Sequence, residues 1–129
     1  MNKYSNKLFT TPEQTSKLIE MGLPEPISIS EIITPIYDGV CIATQGEAKA
    51  SEVVYIRNYT IGEILSFLPP YLGRWQLLMH FNTHYDYWSA YYLSDGSSDD
   101  KYLRLNAHGG QLIDALFRLV IILKEDGLI

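Results

Sequence analysis

The sequence has few of the features that mark secreted or membrane-spanning proteins. Cys41 is its one cysteine, so no disulfide can form within the chain, and such a chain suits a reducing compartment. The longest apolar run, from Leu119 to Leu123, is far shorter than the ~20 residues that a membrane helix needs. The first residues also lack the apolar stretch of a signal peptide. We therefore expect a cytoplasmic protein that does not enter a membrane.

Positive charge is scarce as well. The chain has 10 Lys and Arg against 15 Asp and Glu, which gives a net charge of −5 at pH 7. A nucleic-acid-binding protein needs a basic surface to neutralise phosphates, so a nucleic acid is not the expected partner. A nucleic-acid accessory protein stays an open alternative. The apolar fraction of 47% and the length of 129 residues indicate one globular domain, 1–129, with a loosely ordered N-terminus over residues 1–10.

The known catalytic and cofactor-binding signatures are also missing. The sequence contains no GxSxG, GxGxxG or GxxxxGK[ST] motif. Asp95, Asp99 and Asp100 lie close together, but they do not have the spacing of an EF-hand calcium loop. The sequence therefore predicts no cofactor and assigns no catalytic residue.

Three histidines and one aspartate are the remaining candidates for chemistry: His80, His84, Asp86 and His108. Two histidines four residues apart can bind zinc when they share a helix face. The local pattern here is a strand and a turn, and four extended residues separate the two rings by roughly 13 Å. We therefore expect no metal. A small hydrolase or metal-dependent enzyme that uses these four residues stays an alternative to a non-enzymatic protein.

The first predicted helix lies between Thr11 and Gly22. A threonine followed by proline is a typical helix start, and a glycine is a typical end. The spacing of the apolar residues predicts that Leu18 and Ile19 face the core. Gln14 is expected to face water.

Two further helices are predicted downstream. Thr60 and Glu63 match a capping box that opens a short helix, which Pro69 and Pro70 end. The longest helix, about Gln111 to Asp126, is apolar nearly all round in its middle. We expect this last helix to be the spine of the core.

Strand patterns fill the regions between the helices. Because most strand pairings would be short-range, we expect an α+β domain. Its antiparallel sheet has three to five strands, including a central β-meander, and packs against an N-terminal helix, a short middle helix and a long C-terminal helix. Asn106 to Gly110 is predicted to be a loop. The predicted strands are Ile27–Ile32 (an edge strand or an ordered extended segment), Ile36–Thr44 (or a hairpin around Asp38-Gly39), Val53–Arg57, the two arms of a Trp75–Leu93 hairpin that turns at Asn82–Asp86, and Lys101–Leu105.

Aromatic residues crowd the predicted hairpin. Strand alternation sends Tyr87 and Tyr91 to one face and Trp88 and Tyr92 to the other, so one pair can pack under the last helix while the other stays on an open face. Tyrosine and tryptophan are common in protein interfaces, although they are also ordinary strand formers. Base stacking would require more basic residues nearby. We therefore expect a protein partner or self-association. The interface candidates are Trp75, Tyr85, Tyr87, Trp88, Tyr91 and Tyr92.

Several segments carry a resemblance to known sequences: Thr11 to Pro24, Tyr59 to Pro69, Leu112 to Phe117 and Leu123 to Ile129. In these segments the chain resembles small uncharacterised proteins encoded by phages, prophages and conjugative elements of gut Bacteroidetes. The resemblance implies an accessory gene product and supplies no catalytic residue. Together with the aromatic hairpin, it predicts a non-enzymatic protein-interaction module or accessory protein of a phage or mobile element.

Overall fold

The structure is a computed structural model that describes residues 7–33, 53–94 and 105–129. The predicted strand at Ile36–Thr44, Cys41, the aspartate-rich loop and all but the last residue of the strand predicted at Lys101–Leu105 lie outside these residues. The described chain is α+β, as predicted. Its elements are α1 (Pro12–Glu20), β1 (Ile29–Ile33), β2 (Val54–Arg57), α2 (Ile61–Phe67), β3 (Tyr71–Leu72), β4 (Trp75–Asn82), β5 (Tyr87–Ser94), β6 (Asn106–Gly109) and α3 (Leu112–Glu125).

Helix α1 begins and ends at the predicted residues. Thr11 accepts a hydrogen bond from the Gln14 backbone N–H (3.1 Å), and the Gln14 side chain accepts one from the Thr11 N–H (2.9 Å). Gly22 has a φ of +93°, a conformation that glycine adopts without strain, just after the helix. Leu18 is fully buried, as expected. The expectation for Ile19 is wrong: its side chain is 37% exposed, because the buried face of this short helix is narrow.

The other two helices also follow their sequence signals. In α2, Thr60 and Glu63 form the predicted capping box. At the end of α3, Gly127 has a φ of +71° and the Leu128 N–H donates to the Leu123 carbonyl at 2.9 Å. This is the pattern of a glycine-terminated helix that continues into a hydrophobic contact. Six α3 side chains are buried, which makes this helix the centre of the core.

The strands of the described residues form two antiparallel sheets. Strands β1 and β2 make a two-stranded sheet, and the second sheet has the order β3-β4-β5-β6. The segment from Asn106 to Gly109 was predicted to be a loop, and this prediction is wrong because it pairs with β5 as β6. Its composition (an asparagine, an alanine, a histidine and a glycine) has low strand propensity, so pairing with β5 and contact with α3 outweigh the local preference.

Helix α3 packs on one face of the four-stranded sheet. A Cβ on Gly109 would lie 2.7 Å from the Ala115 backbone nitrogen, which shows how closely β6 approaches α3. Ala107 and Ala90 point to the same side and are buried. Tyr92 also lies on this side, and its hydroxyl donates to the Pro69 carbonyl at 2.7 Å. Burial raises the pKa of Tyr92 to about 12.

A polar cluster joins the N-terminal segment and α1 to the start of α3. Lys7 Nζ lies 2.7 Å from Asp114 Oδ1, and Gln14 Nε2 donates to the same oxygen at 2.9 Å. Gln14 is therefore half-buried and bonded, which corrects the expectation that it faces water. Burial alone would raise the pKa of Asp114, but the hydrogen bonds from Lys7 and Gln14 and the charges of Lys7 and Arg118 hold it below its ordinary value.

A buried chain of hydrogen bonds connects α1 to the two-stranded sheet. Thr15 donates to Asn58 Oδ1, and Asn58 Nδ2 donates to Ser30 Oγ at 2.9 Å. Because the Thr15 hydroxyl hydrogen is donated to Asn58, the hydrogen bond between Thr10 Oγ1 and Thr15 Oγ1 (2.7 Å) must have Thr10 as its donor. Thr10 Oγ1 in turn accepts a hydrogen bond from the Tyr59 N–H (3.0 Å). Each hydroxyl in this series of hydrogen bonds therefore donates one hydrogen bond and accepts one.

Candidate interaction surface

The face of the four-stranded sheet opposite α3 is the candidate functional surface, and we call it the open face. Its members follow from the register, because strand residues alternate between the two faces and Ala90, Ala107 and Gly109 fix the face that α3 covers. Six of its eleven side chains are exposed and four are half-buried. The open face consists of Tyr71, Gln76, Leu78, His80, Asn82, Tyr87, Ser89, Tyr91, Leu93, Asn106 and His108.

The open face combines apolar and polar side chains and carries no formal charge. Tyr71 and Leu93 are 59% and 50% exposed, and Leu78, Tyr87 and Tyr91 are half-buried beside them. None of the eleven residues is Asp, Glu, Lys or Arg, although the chain has 15 acidic and 10 basic residues. Aromatic enrichment with few charged residues is the composition of the central part of a protein interface.

A row of polar side chains crosses the middle of the open face. Ser89 on β5 is in register with His80 on β4 and with His108 on β6. Ser89 Oγ lies 2.9 Å from His108 Nδ1, and the Tyr87 ring meets the His108 ring at a centroid distance of 4.9 Å. The Ser89–His108 contact could not be predicted from local patterns, because it depends on the pairing of β5 with a segment predicted to be a loop.

The other two candidates for chemistry lie at the hairpin turn. Asn82 Oδ1 accepts hydrogen bonds from the backbone N–H groups of His84 (2.9 Å) and Tyr85 (3.1 Å), which fixes the turn. Asp86 completes it with a φ of +56°. His80 and His108 thus share the open face, while His84 and Asp86 do not join them. In the described parts of the chain, no three His, Cys, Asp or Glu side chains are grouped so that they could hold a metal ion.

Three of the predicted interface aromatics lie on the α3 side of the sheet. Trp75 and Tyr92 are each only 3% exposed, so they belong to the core. Their selection as interface candidates is therefore corrected. Their burial has a simple cause: the sequence shows which strand residues share a face but not which face α3 covers. Trp88 is half-buried on the same side, with its ring 5.3 Å from that of Phe81.

The remaining interface candidates are accessible to different degrees. Tyr87 and Tyr91 lie on the open face, and Tyr85 is 68% exposed at the hairpin turn, where its ring stacks on that of Tyr87 at 6.4 Å. Their role as contacts stays a prediction. Tyr71 and Leu93, which sequence reasoning did not select, contribute more exposed apolar surface to the open face than Tyr87 or Tyr91. Leu93 follows from the alternation in β5, but Tyr71 joins the face only through the two-residue strand β3.

The outer edge of β6 is partly occupied by α3. The Tyr92 N–H donates to the Leu105 carbonyl at 3.1 Å, so the backbone groups of His108, three residues along, point away from β5. The Arg118 guanidinium donates a hydrogen bond to the His108 carbonyl. A side chain from α3 thereby covers part of an edge that would otherwise be free to pair with another strand.

Comparisons with known proteins add no information about this surface. No family model, curated protein or solved structure matches the chain. Among the described residues, no helix is both long and apolar enough to cross a membrane. The phage and Bacteroidetes origin therefore stays a prediction from resemblance.

Proposed function

We propose that this chain is a non-enzymatic protein-interaction module that acts through its open face. The observation that carries the proposal is an uncharged sheet face opposite α3 that includes three tyrosines. The lone cysteine favours a cytoplasmic setting. The role as an accessory protein of a phage or mobile element is supported by the sequence resemblance.

The exposed apolar side chains of the open face supply a driving force for association. Tyr71 and Leu93 each leave about half of their surface in water. Covering that half would stabilise a complex by roughly 1 kcal/mol per side chain, at about 25 cal/mol per Å² of apolar area. Tyrosine is also among the residues that dominate binding energy in interfaces.

A small hydrolase is the second candidate, and the Ser89–His108 contact favours it. A serine hydroxyl 2.9 Å from a histidine nitrogen has the geometry of a nucleophile and its base. Ser89 is only 8% exposed, which places the hydroxyl below the surrounding side chains. Purified protein and its Ser89→Ala variant, assayed side by side on p-nitrophenyl acetate, test this candidate. Activity that depends on Ser89 would support it, and equal rates would eliminate it.

Photo-crosslinking tests the interaction proposal directly. A photoreactive phenylalanine analogue replaces Tyr71 on the open face, or Tyr55 on β2 as a matched control. Both tyrosines lie on strands and are exposed to similar extents, 59% and 55%. The experiment uses cells that produce this chain naturally, and mass spectrometry identifies each adduct.

The two positions should give different results. We expect protein adducts from position 71 and few or none from position 55, because only the first lies on the open face. Adducts at position 55 alone would move the interaction surface to the two-stranded sheet and refute the proposal. Absence of any protein adduct at position 71 would refute it as well.

A further inference from the structure

We infer that the partner of the open face is a second copy of this chain, packed face to face around a two-fold axis. This inference rests on the proposed function, since it names the partner of the same surface. It depends on the charge of the open face, on the arrangement of its side chains and on the state of the β6 edge.

Charge is the first step of the argument. Each copy has a net charge of −5, so two copies repel each other at long range. Charged side chains in an interface must leave water, which is unfavourable unless each one finds an opposite charge in the partner. None of the eleven residues of the open face is acidic or basic, so two copies can meet there without that requirement. An absence of charge also gives the face no means of steering an oppositely charged partner toward it.

The pattern of side chains is the second step. A two-fold interface requires a surface that is complementary to itself. At one end of the open face, Tyr71 is in register with Gln76, and at the other end Tyr87 is in register with Asn82. Both ends therefore carry a tyrosine beside a side-chain amide. A half-turn about an axis through the middle of the hairpin places the Tyr71–Gln76 end of one copy on the Tyr87–Asn82 end of the other.

The partly covered edge of β6 is the third step, because it disfavours edge pairing, the main alternative mode of self-association. Sheets often associate by pairing their edge strands. One edge of this sheet is β3, which has only two residues. At the other edge, Arg118 occupies the outward carbonyl of His108 in the middle of β6. Face-to-face packing leaves the Arg118 hydrogen bond intact.

The size of the open face points to a weak interface. Strands β4 and β5 have eight residues each, but β6 has four and β3 has two. At about 3.4 Å along and 4.8 Å across per residue, the face projects about 360 Å². Two copies would bury about 700–1,100 Å² in total once side-chain relief is included, which is below the range of stable interfaces and within that of weak, transient ones. We therefore expect a reversible dimer with a dissociation constant between about 1 and 100 µM.

Sedimentation equilibrium of the purified full chain tests the inference. The wild type is compared with Tyr71→Glu and Leu93→Glu, which each place a carboxylate on the open face. Tyr55→Glu is the matched control on the two-stranded sheet. All three positions are at least half exposed, so the folded state tolerates the charge, and circular dichroism checks this. We expect the two open-face variants to raise the dissociation constant at least tenfold and Tyr55→Glu to leave it within twofold of wild type.

Two results would overturn the inference. One is a wild type that stays monomeric up to about 500 µM, and the other is a dimer that Tyr55→Glu weakens as much as Tyr71→Glu does. The crosslinking experiment distinguishes failure of the dimer inference from failure of the proposed function. A monomer that still forms adducts with another protein at position 71 removes the second copy and keeps the proposed function. A monomer without any adduct there removes both.

Discussion

The close approach of β6 to α3 makes Gly109→Ala a severe test of the fold. A Cβ at this position would lie 2.7 Å from the Ala115 nitrogen and 2.8 Å from Asp114 Cβ. Real Cβ atoms do not approach backbone atoms this closely, so the first turn of α3 would have to move away from β6. That turn also carries Asp114, whose contacts with Lys7 and Gln14 hold the N-terminal segment.

The cost follows from overpacking. Inserting one methyl group into a well-packed site costs about 1–3 kcal/mol, and here the obstacle is backbone, which cannot rotate aside. For 129 residues, an unfolding entropy of about 2.1 cal/mol/K per residue converts 2 kcal/mol into a decrease in Tm of roughly 7 °C. We therefore expect Gly109→Ala to lower Tm by about 4–10 °C.

The adjacent glycine offers a matched control. A Cβ on Gly110 would have no atom within 4 Å, and its φ is not in the left-handed region. Gly110→Ala should therefore leave the free energy of unfolding unchanged or raise it by up to about 1 kcal/mol, because alanine reduces the entropy of the unfolded chain. Thermal and urea unfolding followed by circular dichroism measure both variants. Equal stabilities for the two variants would refute the placement of β6 against α3.

Three further predictions concern the polar groups of the fold. Thr15→Val should lower the free energy of unfolding by about 1–3 kcal/mol in urea titrations, because it leaves Asn58 Oδ1 buried without its donor; a loss below about 0.3 kcal/mol would contradict the network. Asp114 has a folded pKa below its unfolded value near 3.8, so it contributes stability above that value and loses it as the pH falls through the lowered folded pKa. Wild type should therefore exceed Asp114→Asn in stability at pH 7 and converge on it in acid, as measured by urea unfolding across pH. Tyr92 has a folded pKa of about 12 against 10 unfolded, so its contribution is complete below pH 10 and is lost as the pH rises toward 12. Tyr92→Phe, followed by absorbance at 295 nm, should lack a tyrosine titration step near pH 12 that the wild type shows.

The helices and the hairpin could be predicted because their signals are local. The Thr60–Glu63 capping box and the glycines after α1 and α3 act within a few residues, and so does the alternation along β4 and β5. The separation of Tyr87 and Tyr91 from Trp88 and Tyr92 followed from the same period of two.

Features that depend on contacts between distant segments could not be predicted from the sequence. Strand β6 forms from residues of low strand propensity because β5 and α3 stabilise it from both sides. The burial of Trp75 and Tyr92 and the exposure of Tyr71 depend on which face α3 covers, which no local pattern records. The Ser89–His108 contact required the same knowledge of pairing.

Thiol labelling tests the central claim, that the open face is free in one copy of the chain and is covered by a partner. A cysteine replaces His80 on the open face, Ser16 on the exposed side of α1, or Ala107 in the core. Peptide mapping separates each new thiol from Cys41. We expect the His80→Cys thiol to be labelled as fast as the Ser16→Cys thiol in dilute protein. At higher protein concentration the labelling rate should fall for His80→Cys but not for Ser16→Cys. A His80→Cys thiol that reacts as slowly as Ala107→Cys at every dilution would show that the chain itself covers this face, and would contradict the account.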